Sequence, residues 1–507
     1  MTTSPLTPRV PLVDNPELSI YWDNHLRDAF LEAAPVIYPP FVEASIAHVY
    51  MLCETGILSR DRATRLISGL LTLWTRHAEG HQDYVFDGSV EDPYYFLEQQ
   101  LAAACGIGTA ELDVQLARSR NDLDAGAFRM VLRRQLLDQA DLVVQAARDA
   151  AELAEAHTES LIIGFTHRRP AQPTTIGHVL SGFAEALLSQ ADEMLSVYDE
   201  LNVSPLGSAA FTGTDLPIDS ALVGRLLGFD RSFTASYEAV AGAEHFMRLA
   251  AVQARSAATG ARLSRVLLEW MTFRWIATPT PFTQGSSIMP QKKNPVVLEH
   301  MVSMAGASAA DMAAVFANIG AGWYEDSNNA TTDVQKHLWR AGERGVRFMR
   351  MLDGLFIGLE LAELPSIEFI VKSGATTTAV AEALAARGVP WRAAHDVVGT
   401  LVRAQDPTAW TAEDVERAFI GAGLEVNEEL TALTLGAGQR PERILEREQV
   451  GSPGREAVRV AAGLALGRAE ELAAGFAARR GHLDDTREAL LSLATTISEG
   501  DQWPSTR

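Results

Sequence analysis

The 507-residue chain is 47% apolar, 21% charged and 7% aromatic, a soluble globular balance sized for about two to four domains or one large helical body. Its 43 Lys and Arg against 65 Asp and Glu give a formal charge of −22, which excludes a broad basic face for nucleic acid or anionic lipid but not a local basic pocket. Two cysteines, Cys53 and Cys105, exclude a disulfide scaffold and a cysteine-based zinc cluster. The start is polar and proline-bearing, without the apolar core of a secretory signal. No window approaches about 18 uncharged apolar residues, so the expectation is a cytoplasmic chain without a membrane span.

In chain order, residues 1–115 read as a smaller helical domain, broken at Pro35, at Pro39-Pro40 and in the HAEGHQDYVFDG loop. Residues 116–365 read as a bundle of long helices. From 127 to 163 there is neither Gly nor Pro, about 55 Å of chain if helical. Within it Leu132, Leu136, Ala140, Val143, Ala147, Ala151 and Ala154 recur at helical spacing. Further proline-free stretches lie at 176–204, 218–278 (helical from 244) and 296–364. Helices of this length bury their stripes by antiparallel packing, so the fold class is mainly α. Residues 366–507 read as a third, C-terminal helical domain of shorter elements. The segment 377–387 stops at Gly388-Val389-Pro390, and a helical tail with frayed last residues begins at 455.

Three polar segments interrupt the helical texture. In Leu116–Asp122, two arginines, Ser119 and Asn121 stand at a helix start, where an anion is favoured. The same residues serve equally as an N-cap with solvated arginines. Gly164–Thr175 sets Thr166 beside His167, a side chain suited to acid–base work or simply solvated in a turn, with Gln172 beyond. Thr283–Pro295 joins glycine and two serines to Lys292, Lys293 and Asn294. It is either a basic surface loop or a device for stabilising an anionic intermediate.

GSSIMPQKKNP at Gly285–Pro295 resembles the signature of the fumarase/aspartase superfamily, whose members eliminate an amine or water to release fumarate. ARSRND at Ala117–Asp122, GFTHRRPAQP at Gly164–Pro173 and SPLGSAAFTGTDLPID at Ser204–Asp219 resemble its argininosuccinate lyase branch. SIAHVYML around His48 and RGVPWRAAHDVVG at Arg387–Gly399 are similar to it too. The resemblance implies a three-domain fold with a long central helix bundle forming a tetramer core, and no metal or organic cofactor. It implies a carbon–nitrogen lyase that cleaves an N-substituted aspartate by β-elimination to fumarate and a free amine. Ser286 would be the base, and Lys292 and Asn294 would hold the carboxylate and the developing charge. His167 would sit by the leaving amine with Glu299 as its partner carboxylate. Ser119, Arg120 and Asn121 would bind the fumarate half, with Thr166, Gln172 and Tyr324 as further substrate contacts. Active sites in such homotetramers combine three regions from three subunits.

The chain also departs from the argininosuccinate lyase pattern. Gln115-Leu116-Ala117 replaces HTG or HTA, and Trp323–Thr331 keeps Tyr324 but not the lysine, glutamine and acidic pair of YNKDLQEDK. Glu91-Asp92-Pro93-Tyr94 lacks the histidine of EDVH, and Ala243-Glu244-His245-Phe246 replaces DRDF. The fumarate-forming half is intact and the amine half altered, which implies a different N-substituted aspartate, of the ethylenediamine-disuccinate type. Argininosuccinate cleavage is the alternative, and a non-catalytic structural homologue a remote one. A hydrolytic reading of Ser286 with His167 lacks the strand–turn–helix elbow that such a serine needs.

Overall fold

A computed structural model of the chain describes residues 20–500 and 503. The N-terminal segment read for a signal and most of the final residues lie outside the described residues. A π turn at Trp22–Leu26 leads into α1 (Arg27–Glu54), followed by α2 (Arg60–Ala78) and α3 (Pro93–Cys105). The prolines expected to break this region, Pro35, Pro39 and Pro40, lie inside α1. An interior proline costs a helix about 3 kcal/mol through its missing donor. Burial of Phe30, Ala34, Ile37, Tyr38 and Phe41 around them offsets that cost.

The central helices are α4 (Arg120–Ala156), α5 (Ile176–Leu201), short α6 (Ser220–Leu226) and α7 (Ser236–Ala241), then α8 (Glu244–Thr272), α9 (Val296–Ala321) and α10 (Thr332–Ile357). All seven stripe positions from Leu132 to Ala154 are buried. The ends of α4 differ from the glycine- and proline-free stretch. Gly126 lies inside the helix where Leu206 packs on it, and residues 161–163 leave helix to pair in a hairpin. α4 packs on α5, α10 and α16, and α8 on α9 and α10.

Four two-stranded ribbons connect these helices: β1 (Leu161–Thr166) with β2 (Arg169–Thr175), β3 (Val203–Ser204) with β4 (Arg231–Ser232), β5 (Ile276–Ala277) with β8 (Glu360–Leu361), and β6 (Gln284–Gly285) with β7 (Lys293–Asn294). All are antiparallel except β3–β4.

Beyond 366 the chain does not pack as one unit. The short helices α11 (Ile367–Lys372), α12 (Thr377–Ala386), α13 (Trp391–Ala404), α14 (Ala412–Gly421) and α15 (Glu428–Ala437) precede α16 (Arg455–Ser498). Val380, Leu384, Val397, Leu401 and Phe419 form a separate apolar cluster, whereas α16 returns to the main core through Val458, Ala462, Leu472, Phe476 and Leu483. The expected 366–507 domain is thus divided by packing, because the apolar stripe of α16 matches α4 and α5 rather than its neighbours in sequence.

Two helices are long and apolar enough to cross a membrane by length and composition, contrary to the sequence expectation: Trp22–Glu54 and Val296–Ala321. Val, Ile, Phe, Met and Ala raise the mean hydropathy of the apolar window of α9 to 1.3 even with Asp311 in it. The apolar window of the first is 83% buried and that of α9 only 22%. The buried Asp311 on α9 pairs with Arg344 and His337 of α10.

Candidate active site

The first segment is built from α4 outward. Ser119 caps the helix in a capping box with Asp122. Ala117 before it is left-handed, at φ 62°, a conformation that an L-residue adopts at a cost. The buried His48 donates from Nε2 to the Leu116 carbonyl at 2.8 Å, and burial, aided by Arg118, lowers its pKa to about 3. Arg118 donates to Gln115 at 2.9 Å and to Ser45 at 3.1 Å, clamping the segment onto α1. Asp122, fully buried, accepts from the amides of Ser119, Gly207 and Ala209 and so stitches the 204–213 loop to the helix start. Asn121 Nδ2 donates to Ala210 O at 3.3 Å.

Arg120 is engaged within its own chain. Its guanidinium donates to Asp92, the N-cap of α3, and to Asp124 at 3.0 Å, so within one chain it is already neutralised. Burial raises the carboxyls of Asp122 and Asp124 to about 6; backbone donors oppose this at Asp122 and Arg120 at Asp124. Tyr324 donates its hydroxyl to Glu238, and its carbonyl accepts from Tyr237 OH at 3.0 Å. The rings of Phe211, Tyr237 and Tyr324 form a half-exposed row, with centroids 5.4 and 5.9 Å apart. Asp124 and Glu238 went unnoticed in the sequence, since isolated acids in an acidic chain give no local signal, and Asp92 was read only as part of an altered motif.

The second segment is the β1–β2 hairpin. Thr166 pairs with Arg169, leaving a two-residue turn of His167 and Arg168 with φ 50° and 65°. Such turns match the strand twist but normally use Asn and Gly. Here the strained pair carries an imidazole to the tip, and Arg168 anchors it to Glu269 of α8 at 2.5 Å. Thr166, His167 and Gln172 are all exposed.

The third segment is the β6–β7 hairpin, with Gln284 opposite Asn294. Ser286 Oγ accepts from the amides of Met289 at 3.0 Å and Ile288 at 3.4 Å. Lys292 is exposed, Asn294 half-buried, and Glu299 exposed in the first turn of α9. Among the described residues no hydrogen bond or ion pair joins His167 to Glu299, or any of the three segments to another. The three segments lie apart on one chain, the second exposed at its turn and the other two partly buried. Among the described residues no group of three or more His, Cys, Asp or Glu is placed to hold a metal ion.

The long-helix body with these segments defines the class, a lyase of the fumarase/aspartase type. A family model described as lyase matches residues 97–308, and one described as argininosuccinate lyase C-terminal matches residues 374–432. The argininosuccinate lyase of Methanothermobacter thermautotrophicus is 30% identical over 454 residues, 87% of this chain and 93% of that one. A crystal structure of EDDS lyase in complex with formate superposes with TM-score 0.81 at 26% identity, and an EDDS lyase variant with bound fumarate with 0.81 at 25%. Each covers 96% of this chain and 97% of its own. The chain belongs to the argininosuccinate lyase family of the fumarase/aspartase superfamily, and is a carbon–nitrogen lyase.

Proposed function

We propose that the protein cleaves an N-substituted aspartate by β-elimination to fumarate and a free amine, with an amine pocket unlike that of argininosuccinate cleavage. The observation that carries this is the Ser286 oxygen, at which two backbone amides point. Donors so placed stabilise negative charge on a serine oxygen that must take a proton from carbon. That proton leaves the carbon next to the carboxylate that does not bear nitrogen. Its electron pair moves into the carboxylate, giving a dianionic aci-carboxylate held by Lys292 and Asn294. Collapse of the dianion expels the amine, which takes a proton from His167, with Glu299 as the partner of the imidazole.

These groups lie apart on one chain, so the reading places each site where three chains of a homotetramer meet. There Ser119, Asn121 and Tyr324 contact substrate from one chain, and Thr166 and Gln172 from another. Arg120 orients its segment through Asp92 and Asp124. The exposed apolar side of α9 would supply the contact between chains.

A cavity of about 350 Å³ opens beside Arg120; Asp28, Glu91 and Asp333 line it without an ion pair among the described residues, beside Lys336 and beside Glu32, Asp92 and Asp124, which pair with arginines. Its carboxylates suit a cationic amine. Asn328 and Thr332, at the segment that departs from the argininosuccinate pattern, also line it. The solved EDDS lyase neighbours support an ethylenediamine-disuccinate-type substrate, while the 30% identity to an argininosuccinate lyase favours argininosuccinate as the second reading. Fumarate mixed with a panel of amines, followed at the fumarate absorbance band, decides between them. Consumption with diamines or aminocarboxylates and slow argininosuccinate cleavage is expected. Fast argininosuccinate cleavage would sink the altered pocket, and inertness toward every amine and N-succinyl compound would sink the reaction itself.

A further inference from the structure

A second cavity, of about 340 Å³, lies between β2, the start of α12 and the turn at 440–447, and of its lining only Gln172 has a part in the proposed elimination. Arg440, Arg443 and Arg447 edge it, with Glu382 on its wall. Arg440 donates Nε to Glu442 at 3.1 Å. The guanidinium groups of Arg443 and Arg447 make no hydrogen bond or ion pair among the described residues. Only about half of the described arginines pair with a carboxylate, but these two stand together on one cavity with neither paired.

Thr376 points to a ligand independently. It lines the cavity and is 3% exposed, and its Oγ1 has no partner. It occupies the N-cap of the 10-residue α12 yet makes no capping bond. A buried hydroxyl without a partner is unfavourable unless something polar meets it. The helix start and the guanidinium groups fix the sign of that partner as negative.

We propose that this cavity binds a small anion bearing carboxylate or phosphate groups. Gln172 and Pro173 of β2, the strand that follows the His167 turn, form part of its wall. An occupant therefore rests against the hairpin that carries His167. The ligand is either the remote acidic end of a substrate or a separate effector, and the chemistry of recognition is common to both.

Calorimetric titration of the full-length protein with inorganic phosphate and with tricarballylate tests the site. Saturable binding of at least one is expected, weakened about tenfold or more in the Arg443→Gln/Arg447→Gln double variant, as for lost charge-assisted hydrogen bonds. Thr376→Val should weaken it less, and Arg459→Gln on α16 should bind as the parent does. A thermal melt confirms that each variant is folded. Because no turnover is needed, the result stands apart from the lyase reading, and Ser286→Ala protein serves equally well. Tricarballylate that competes with substrate marks a substrate subsite, and binding without competition an effector site; either sustains the proposal. No binding of either anion, or equal binding in parent and double variant, overturns it.

Discussion

Ser286 is half-buried in a turn whose amides close on its oxygen, and nothing in the core rests on it. Ser286→Ala should therefore lower kcat by roughly 10²–10⁴-fold, the usual range for a lost general base. The circular dichroism spectrum and Tm should not move; retained turnover would remove Ser286 as the base. Arg120 behaves differently, because it joins the acids at Asp92 and Asp124. Arg120→Gln leaves two neighbouring carboxylates without their cation. With the arginine a third exposed, a loss of about 1–3 kcal/mol is expected in urea unfolding, below that of a fully buried pair. Asp122 titrates at about 6 in the fold, above the roughly 3.9 of an unfolded aspartate, so the folded chain binds that proton more tightly. Its contribution to stability is full below about pH 4 and declines as pH rises to about 6. The Tm difference between parent and Asp122→Asn should fall across that window and then level off.

At the scale of elements, the first two motif segments share a device that the third lacks. Four of the non-glycine residues with positive φ, Ala117, His167, Arg168 and Ala209, lie in or beside them. Local sequence does not announce such strain, since it persists only where surrounding contacts over-determine it. Periodicity made the buried stripe of α4 legible because 3.6-residue spacing is a property of one helix alone. The continuity of α1 through three prolines was not legible, because the compensation comes from side chains distant in sequence. The contact of α8 with α10 shows the same dependence. A Cβ on Gly260 would stand 2.2 Å from a ring carbon of Phe348, which is 1% exposed and has no room to retreat. Gly260→Ala gains about 1 kcal/mol of helix propensity but should still lower stability by about 1–3 kcal/mol through overpacking, read as a lower Tm.

For the whole molecule, Ser286, His167 and Asn121 stand on separate elements of one chain, and the proposed reading brings them together only between chains. The exposed apolar side of α9 carries Phe316, 44% exposed, away from the Asp311 ion pairs. Phe316→Glu should shift the assembly to smaller species in light scattering, with activity falling in parallel although no site residue is changed. Co-expression of Ser286→Ala with His167→Gln chains should recover activity that neither has alone. Complete inactivity of the mixed assemblies would mean that one chain supplies both groups.

The sequence by itself determined the helical class and the family, because periodicity and an eleven-residue signature are local properties of a chain. Only the tertiary structure decided that α16 leaves its sequence neighbours for the central core, that Arg120 answers Asp92 and Asp124, and that an unpartnered Thr376 faces two free arginines. Those outcomes depend on which charges and apolar faces meet across tens of residues, as for Arg120 and Asp92, or hundreds, as for α16 and α4. Pairing at that distance is settled by packing and desolvation rather than by any pattern along the chain.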